Sequence, residues 1–96
     1  MMILKKCIVR TYSAGVHYGV LMERTGKEVV LLNSIRIWKW AGAASLSQLA
    51  IEGSKKPQDC KFAMAVPSIL LTEAIEIIPC SEAAIRNIES VETWKI

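Results

Sequence analysis

Between Glu28 and Gly53 the chain reads E-V-V-L-L-N-S-I-R-I-W-K-W-A-G-A-A-S-L-S-Q-L-A-I-E-G, a long strand pattern that runs through small residues into a capped helix. Val29-Val30-Leu31-Leu32 is apolar on both faces, so the strand from Glu28 to about Trp40 is expected at the centre of a sheet that covers it on two sides. Side chains alternate along a strand, which puts Ile35 and Ile37 on one face and Arg36, Trp38 and Trp40 on the other. Beyond it, Ala41-Gly42-Ala43-Ala44 has almost no side-chain volume, and Ser45 with Gln48 fits the capping box that opens a helix. That helix, Leu46 to Glu52, shows Leu46, Leu49 and Ala50 at helical spacing and stops at Gly53. It is short, so packing rather than propensity must hold it.

The flanking sequence supplies partner strands. From about Ile3 to Tyr12, Ile3, Cys7 and Val9 share one face, with Arg10 and Tyr12 on the other; Ser13-Ala14-Gly15 then turns the chain. A second strand, Val16 to Glu23, alternates Val16, Tyr18, Val20 and Met22 against His17, Gly19 and Leu21. Gly19 in mid-strand marks a bulge, a bend or a close backbone approach. Thr25-Gly26 leads into the central strand and completes an antiparallel meander. Downstream, Lys61 to Val66 is expected as a strand ended by Pro67-Ser68. Ile69 to Ile78 is expected as another, with Ile69, Leu71, Ile75 and Ile77 on one face and Glu73 interrupting it. Ser81-Glu82 opens a second helix that buries Ile85 and Ile88, and Val91 to Ile96 closes the chain as a short strand. The expected fold is mainly β (α+β): one domain over residues 1–96, an antiparallel, strongly bent sheet or small barrel-like meander with two short helices. At 52% hydrophobic over 96 residues, so small a core has much apolar side chain to hide, which points to a homo-oligomer.

Charge and cysteine usage exclude several classes. The net charge is +3, from twelve basic and nine acidic residues, and Lys5-Lys6, Lys55-Lys56 and Lys61 are the nearest approach to a cluster, so no DNA partner is expected. Charge interrupts the apolar stretches within about ten residues, short of the ~18 that a membrane span needs. M-M-I-L-K-K at the start lacks the layout of a signal peptide, and a cytoplasmic protein is expected. Cys7, Cys60 and Cys80 are too scattered, with His17 the lone histidine, for a metal site. No Walker loop, metal triad, G-x-S-x-G or spaced carboxylate pair appears, so neither catalysis nor a cofactor is expected.

What remains is a binding pattern. Trp38, Trp40, Tyr12 and Tyr18 are suited to stacking against a base. Arg10 and Arg36 are suited to clamping phosphate through paired hydrogen bonds. Gly42, Ala43, Ser45 and Gln48 surround a helix N-terminus able to cradle an anion. Each feature also has an ordinary explanation. Strand tryptophans anchor cores and subunit interfaces; Arg36 can stay wet at the sheet surface; the small residues can serve tight helix–sheet packing; and Gln48 can do no more than close its capping box. Trp94 can finish the sheet or dock on a neighbouring subunit.

The runs V-R-T-Y-S-A-G-V-H-Y-G (Val9 to Gly19), Gly26 to Gly53, and L-L-T-E-A-I-E-I-I-P-C-S-E-A-A (Leu70 to Ala84) resemble a family of small tailed-phage proteins of unknown function. The resemblance implies a phage or prophage gene expressed in a bacterial cytoplasm. By analogy of class, small phage proteins without catalytic motifs include anti-defence sponges that sequester the cyclic nucleotides or cyclic ADP-ribose derivatives of CBASS and Thoeris immunity. The leading expectation is therefore a non-enzymatic oligomer that binds such a signal without cleaving it. The alternative is a protein–protein interaction or host-takeover module with no small-molecule ligand, and a weaker third is an enzyme using His17 as acid or base.

Overall fold

Three long strands joined by tight turns carry the molecule: β1 (Met2–Thr11), β2 (Val16–Thr25) and β3 (Glu28–Lys39). The structure, a computed structural model, describes residues 2–96, with side chains from Lys5 onward; the expected placement of the Ile3 side chain lies outside the described residues. Thr11 closes the first turn, donating from both its backbone N–H and its Oγ1 to Gly15 O while Oγ1 accepts from Ala14 N. Three short strands complete the sheet. β4 (Lys61–Phe62) and β5 (Val66–Leu71) lie along the outer side of β3, and β6 (Ala74–Pro79) lies along β1. The order is β4-β3-β2-β1-β6 with β5 also on β3, and every strand pair is antiparallel.

The strong bend is a necessity of chain length. In a flat sheet β5 and β6 would stand four strand spacings apart, about 19 Å, whereas the three Cα steps from Leu71 to Ala74 reach about 11 Å. The sheet therefore coils until its sides approach at that end, where Tyr12 N donates to Glu73 O and Ala74 N to Lys27 O. It remains an open sheet and does not close into the barrel that was the other possibility.

A bulge in β3 sets which face each residue takes. Tyr18 pairs with Ile35 and Val20 with Leu32, so Gly19 alone faces both Asn33 and Ser34. Asn33 has φ 48, the left-handed region that asparagine tolerates better than most residues. A Cβ on Gly19 would come within 3.0 Å of Leu32 O, which is the close backbone approach expected of this glycine. Before the bulge, Val29 and Leu31 pack with Cys7, Val9, Leu21 and Leu71; after it, Ile37 and the half-buried Ile35 pack with Ile8, Tyr18 and the helices on the opposite face. A single extra residue lets odd-numbered positions of one strand serve both cores.

The helices α1 (Leu46–Glu52) and α2 (Glu82–Glu89) cover that second core with Leu49, Ala50, Ala84 and Ile88. Burying a Leu or Ile side chain contributes about 1.5–3 kcal/mol, enough to hold helices this short. Asn87 links them through both its amide groups, accepting from Ser54 N and donating to Ser54 O. Downstream the strand boundaries differ from expectation. Pro67 lies inside β5 rather than ending a strand, because an edge strand can accept a residue without an N–H when that position faces away from its neighbour. Thr72-Glu73 splits the expected Ile69–Ile78 strand in two. The C-terminal segment makes only a single bridge, Thr93 to Phe62.

Candidate functional site

β3 outruns its neighbour. Val16, the first residue of β2, pairs with Ile37, so on that side the stretch from Trp38 onward borders the Ser13–Gly15 turn, while β4 still pairs with Lys39 on the other. The result is an open cleft of about 520 Å³ walled by that turn, Val16, Arg36, Trp38 and Trp40. Trp38 is 66% exposed. Its ring stacks on Trp94, with centroids 6.2 Å apart and planes 15° from parallel, and Lys61 Nζ sits 5.2 Å from the centre of the Trp94 ring. Trp94 is placed by its own N–H, which donates to Phe62 O. Arg36 is exposed, and its guanidinium has no ion-pair or hydrogen-bond partner among the described residues.

Beneath the cleft, His17 holds the turn. Its ring is 1% exposed, and Nε2 lies 2.9 Å from Ala14 O; a carbonyl only accepts, so Nε2 carries the hydrogen. Nδ1 and Ser34 Oγ are buried without partners among the described residues. Burial lowers the His17 pKa, and nearby Arg36 acts in the same direction, so the imidazole is neutral near pH 7. A buried neutral ring tied to the backbone positions the wall of the cleft; it is not presented to solvent as an acid or base.

Residues 4–88 match the family model for a domain of unknown function, DUF6948. The chain belongs to the DUF6948 family. Arg36, Trp38 and Trp40 fall within the matched DUF6948 residues, and Trp94 falls beyond them. No curated protein and no solved structure matches the chain. Among the described residues no group of His, Cys, Asp and Glu side chains is placed to hold a metal ion, and no helix is long and apolar enough to cross a membrane.

The DUF6948 fold gathers only part of the set singled out from sequence. Arg36, Trp38 and Trp40 meet in the cleft, and the 76%-exposed Tyr12 precedes the turn that walls it. Trp40, however, does not share the open face of Trp38. β3 ends at Lys39, the alternation lapses, and Trp40 packs half-buried against the Ile37 core. Arg10 is ion-paired with Glu76 at 2.9 Å across the β1–β6 ladder. Tyr18 is 2% exposed and donates to Glu89 Oε2, which also accepts from Lys6 Nζ; burial raises the phenol's pKa, and the Lys6 contact lowers that of Glu89.

At the helix start two backbone N–H groups are capped by local side chains. Ser45 Oγ accepts from Gln48 N, and Gln48 Oε1 accepts from Ala44 N, one residue earlier than the reciprocal bond of a capping box. Gly42, at φ 77, lies against the loop after α1: its O accepts from Lys55 N, and a Cβ there would sit 2.4 Å from Lys56 N. Ala43 packs against the core. Gly42 and Ala43 thus serve as a structural joint between β3 and α1. Two residues of the aromatic surface were absent from the sequence-derived set, Trp94 and Lys61. Their place depends on the Thr93–Phe62 bridge, which joins distant segments in parallel and has no local signal. The cysteines are unpaired, and burial pushes the Cys7 thiol up to about 11 and Cys80 to about 12, far from reactive thiolates.

Proposed function

We propose that this DUF6948 chain is a phage- or prophage-encoded binding protein that captures a nucleotide-derived immune messenger, a cyclic oligonucleotide or cyclic ADP-ribose derivative, and withholds it uncleaved in the host cytoplasm. The observation that carries the proposal is the open Trp38 indole beside the unpaired Arg36 guanidinium. An exposed flat ring gives a base something to stack on, worth about 1–3 kcal/mol. The neighbouring guanidinium matches a phosphate with two parallel N–H donors. The phage origin rests on the resemblance of Val9–Gly19, Gly26–Gly53 and Leu70–Ala84 to tailed-phage proteins. Leu70 on β5, Ile75 on β6 and Met64 just before β5 are exposed and supply apolar surface for a homo-oligomer.

The test is depletion and release. Purified protein is mixed with cyclic dinucleotides or cyclic ADP-ribose, the unbound fraction is measured, and the protein is heated. Intact ligand recovered after denaturation supports sequestration, and an altered product identifies an enzyme. No depletion favours a second role, in which the same tryptophans grip a protein. That role draws on the Trp38–Trp94 pair, since exposed paired indoles have the composition of an interface hot spot.

A further inference from the structure

β4 and β5 follow one another along the outer side of β3, and they differ in what lies beyond them. The chain lays Thr93 on Phe62 of β4, whereas β5 has no strand on its other edge among the described residues. We infer that the open edge of β5 is where a second copy of this chain pairs, strand against strand, across a twofold axis at Ile69. The inference rests on the homo-oligomer put forward above and not on what the cleft binds.

Composition singles out this edge. From Phe62 to Thr72 no residue is charged, whereas strand edges that stay in water are commonly guarded by lysine or another charge. β6, the edge strand on the other side of the sheet, carries Glu76 within it. On β5 the apolar side chains stand in the open: Leu70 is 56% exposed and Val66 38%. They share a face with Ser68, while Ile69 and Leu71 alternate onto the core side. Leu70 and Ser68 lie opposite the half-buried Val30 and Leu32 of β3, so the bare edge continues an apolar strip of the sheet.

The backbone fits self-pairing. Pro67 faces away from β3, so by the alternation of an antiparallel ladder Ile69 and Leu71 also turn N–H and C=O outward. A twofold axis at Ile69 sets the two copies of that residue opposite each other, exchanging two hydrogen bonds. It sets Leu71 opposite Pro67 of the second copy, whose carbonyl accepts from Leu71 N and whose missing N–H falls at the end of the ladder. Ser68 then stands opposite Leu70 of the second copy. Such symmetry brings the strand against its own sequence, where any charge would meet its like. An uncharged strand is therefore suited to a second copy of itself.

Sedimentation of the full chain at micromolar concentration should show a dimer. Leu70→Lys, which puts two ammonium groups beside the axis, should weaken it at least about tenfold with an unchanged circular dichroism spectrum. Ile75→Lys, on the β6 edge, should leave it intact. The Ser68→Cys, Leu70→Cys double variant should give a disulfide-linked dimer on oxidation, since directly opposed positions of paired strands are close enough to bridge; neither single variant should. A monomer at every concentration overturns the pairing and the homo-oligomer together. A dimer that survives Leu70→Lys, or that Ile75→Lys dissociates, overturns the pairing alone. Failure to cross-link in the double variant, or cross-linking in either single one, overturns it as well. Should Leu70→Lys not fold, the cross-link decides.

Discussion

The two ends of the stretch from Arg36 to Gln48 end up in opposite states. At the helix end the side chains singled out for ligand contact have partners within the protein: Ser45 and Gln48 accept from backbone N–H groups, Ala43 packs on the core, and Gly42 lies against the 55–56 loop. At the strand end Trp38 and Arg36 stay open to solvent. The difference shows that capping side chains at a helix start find their partners locally. A large aromatic ring on a strand that outruns its neighbour finds no such local partner.

The sharpest way to break this contrast is Gly42→Ala. A Cβ 2.4 Å from Lys56 N, on a residue held at φ 77, should cost about 2–4 kcal/mol of stability in urea denaturation. A stable protein with weakened ligand binding would instead return Gly42 to the site. Trp38→Ala should do the reverse, losing about 1–3 kcal/mol of ligand affinity while thermal stability changes by less than about 1 kcal/mol, because the side chain is mostly exposed.

Tyr18→Phe removes a part-buried hydrogen bond to Glu89 and should lower stability by about 1 kcal/mol with affinity unchanged, separating this structural tyrosine from the exposed Tyr12. Ser45→Ala should cost about 1 kcal/mol of stability through the lost cap. An accompanying drop in affinity would show that the helix end touches ligand after all.

The smallest effect is that of pH. His17 has a folded-state pKa below the 6.5 of the free group, so between the two values the unfolded chain binds a proton that the folded chain does not. Stability is at its full value above pH 6.5 and declines as pH falls through the folded value. Melting curves between pH 7 and 5 should show this fall, and His17→Gln should flatten it. Glu89, whose pKa is also lowered, adds its own loss below pH 4.5.

Much of the fold is legible in sequence because local rules dictate it. Alternation placed Cys7 and Val9 together, the box at Ser45 and the stop at Gly53 bounded α1, and Ser81 opened α2. Gly19 in mid-strand implies a bulge, a bend or a close approach, and the structure has both a bulge opposite it and Leu32 O close by. The site was less legible. Arg36 and Trp38 could be placed by strand periodicity, but Tyr18 and Arg10 could not be dismissed, because their partners Glu89 and Glu76 are remote in sequence. Trp94 could not be placed on Trp38 for the same reason.

Sequence by itself determined the first two turns, the helix starts and the two-faced character of β3, since each depends on residues within a few positions of one another. Tertiary structure decided how far the sheet coils, which of β3's tryptophans stays in water, and which ring lies against it. Those outcomes depend on contacts between segments far apart in the chain, where the reach of Thr72-Glu73 and the docking of Thr93 on Phe62 act and local preference does not.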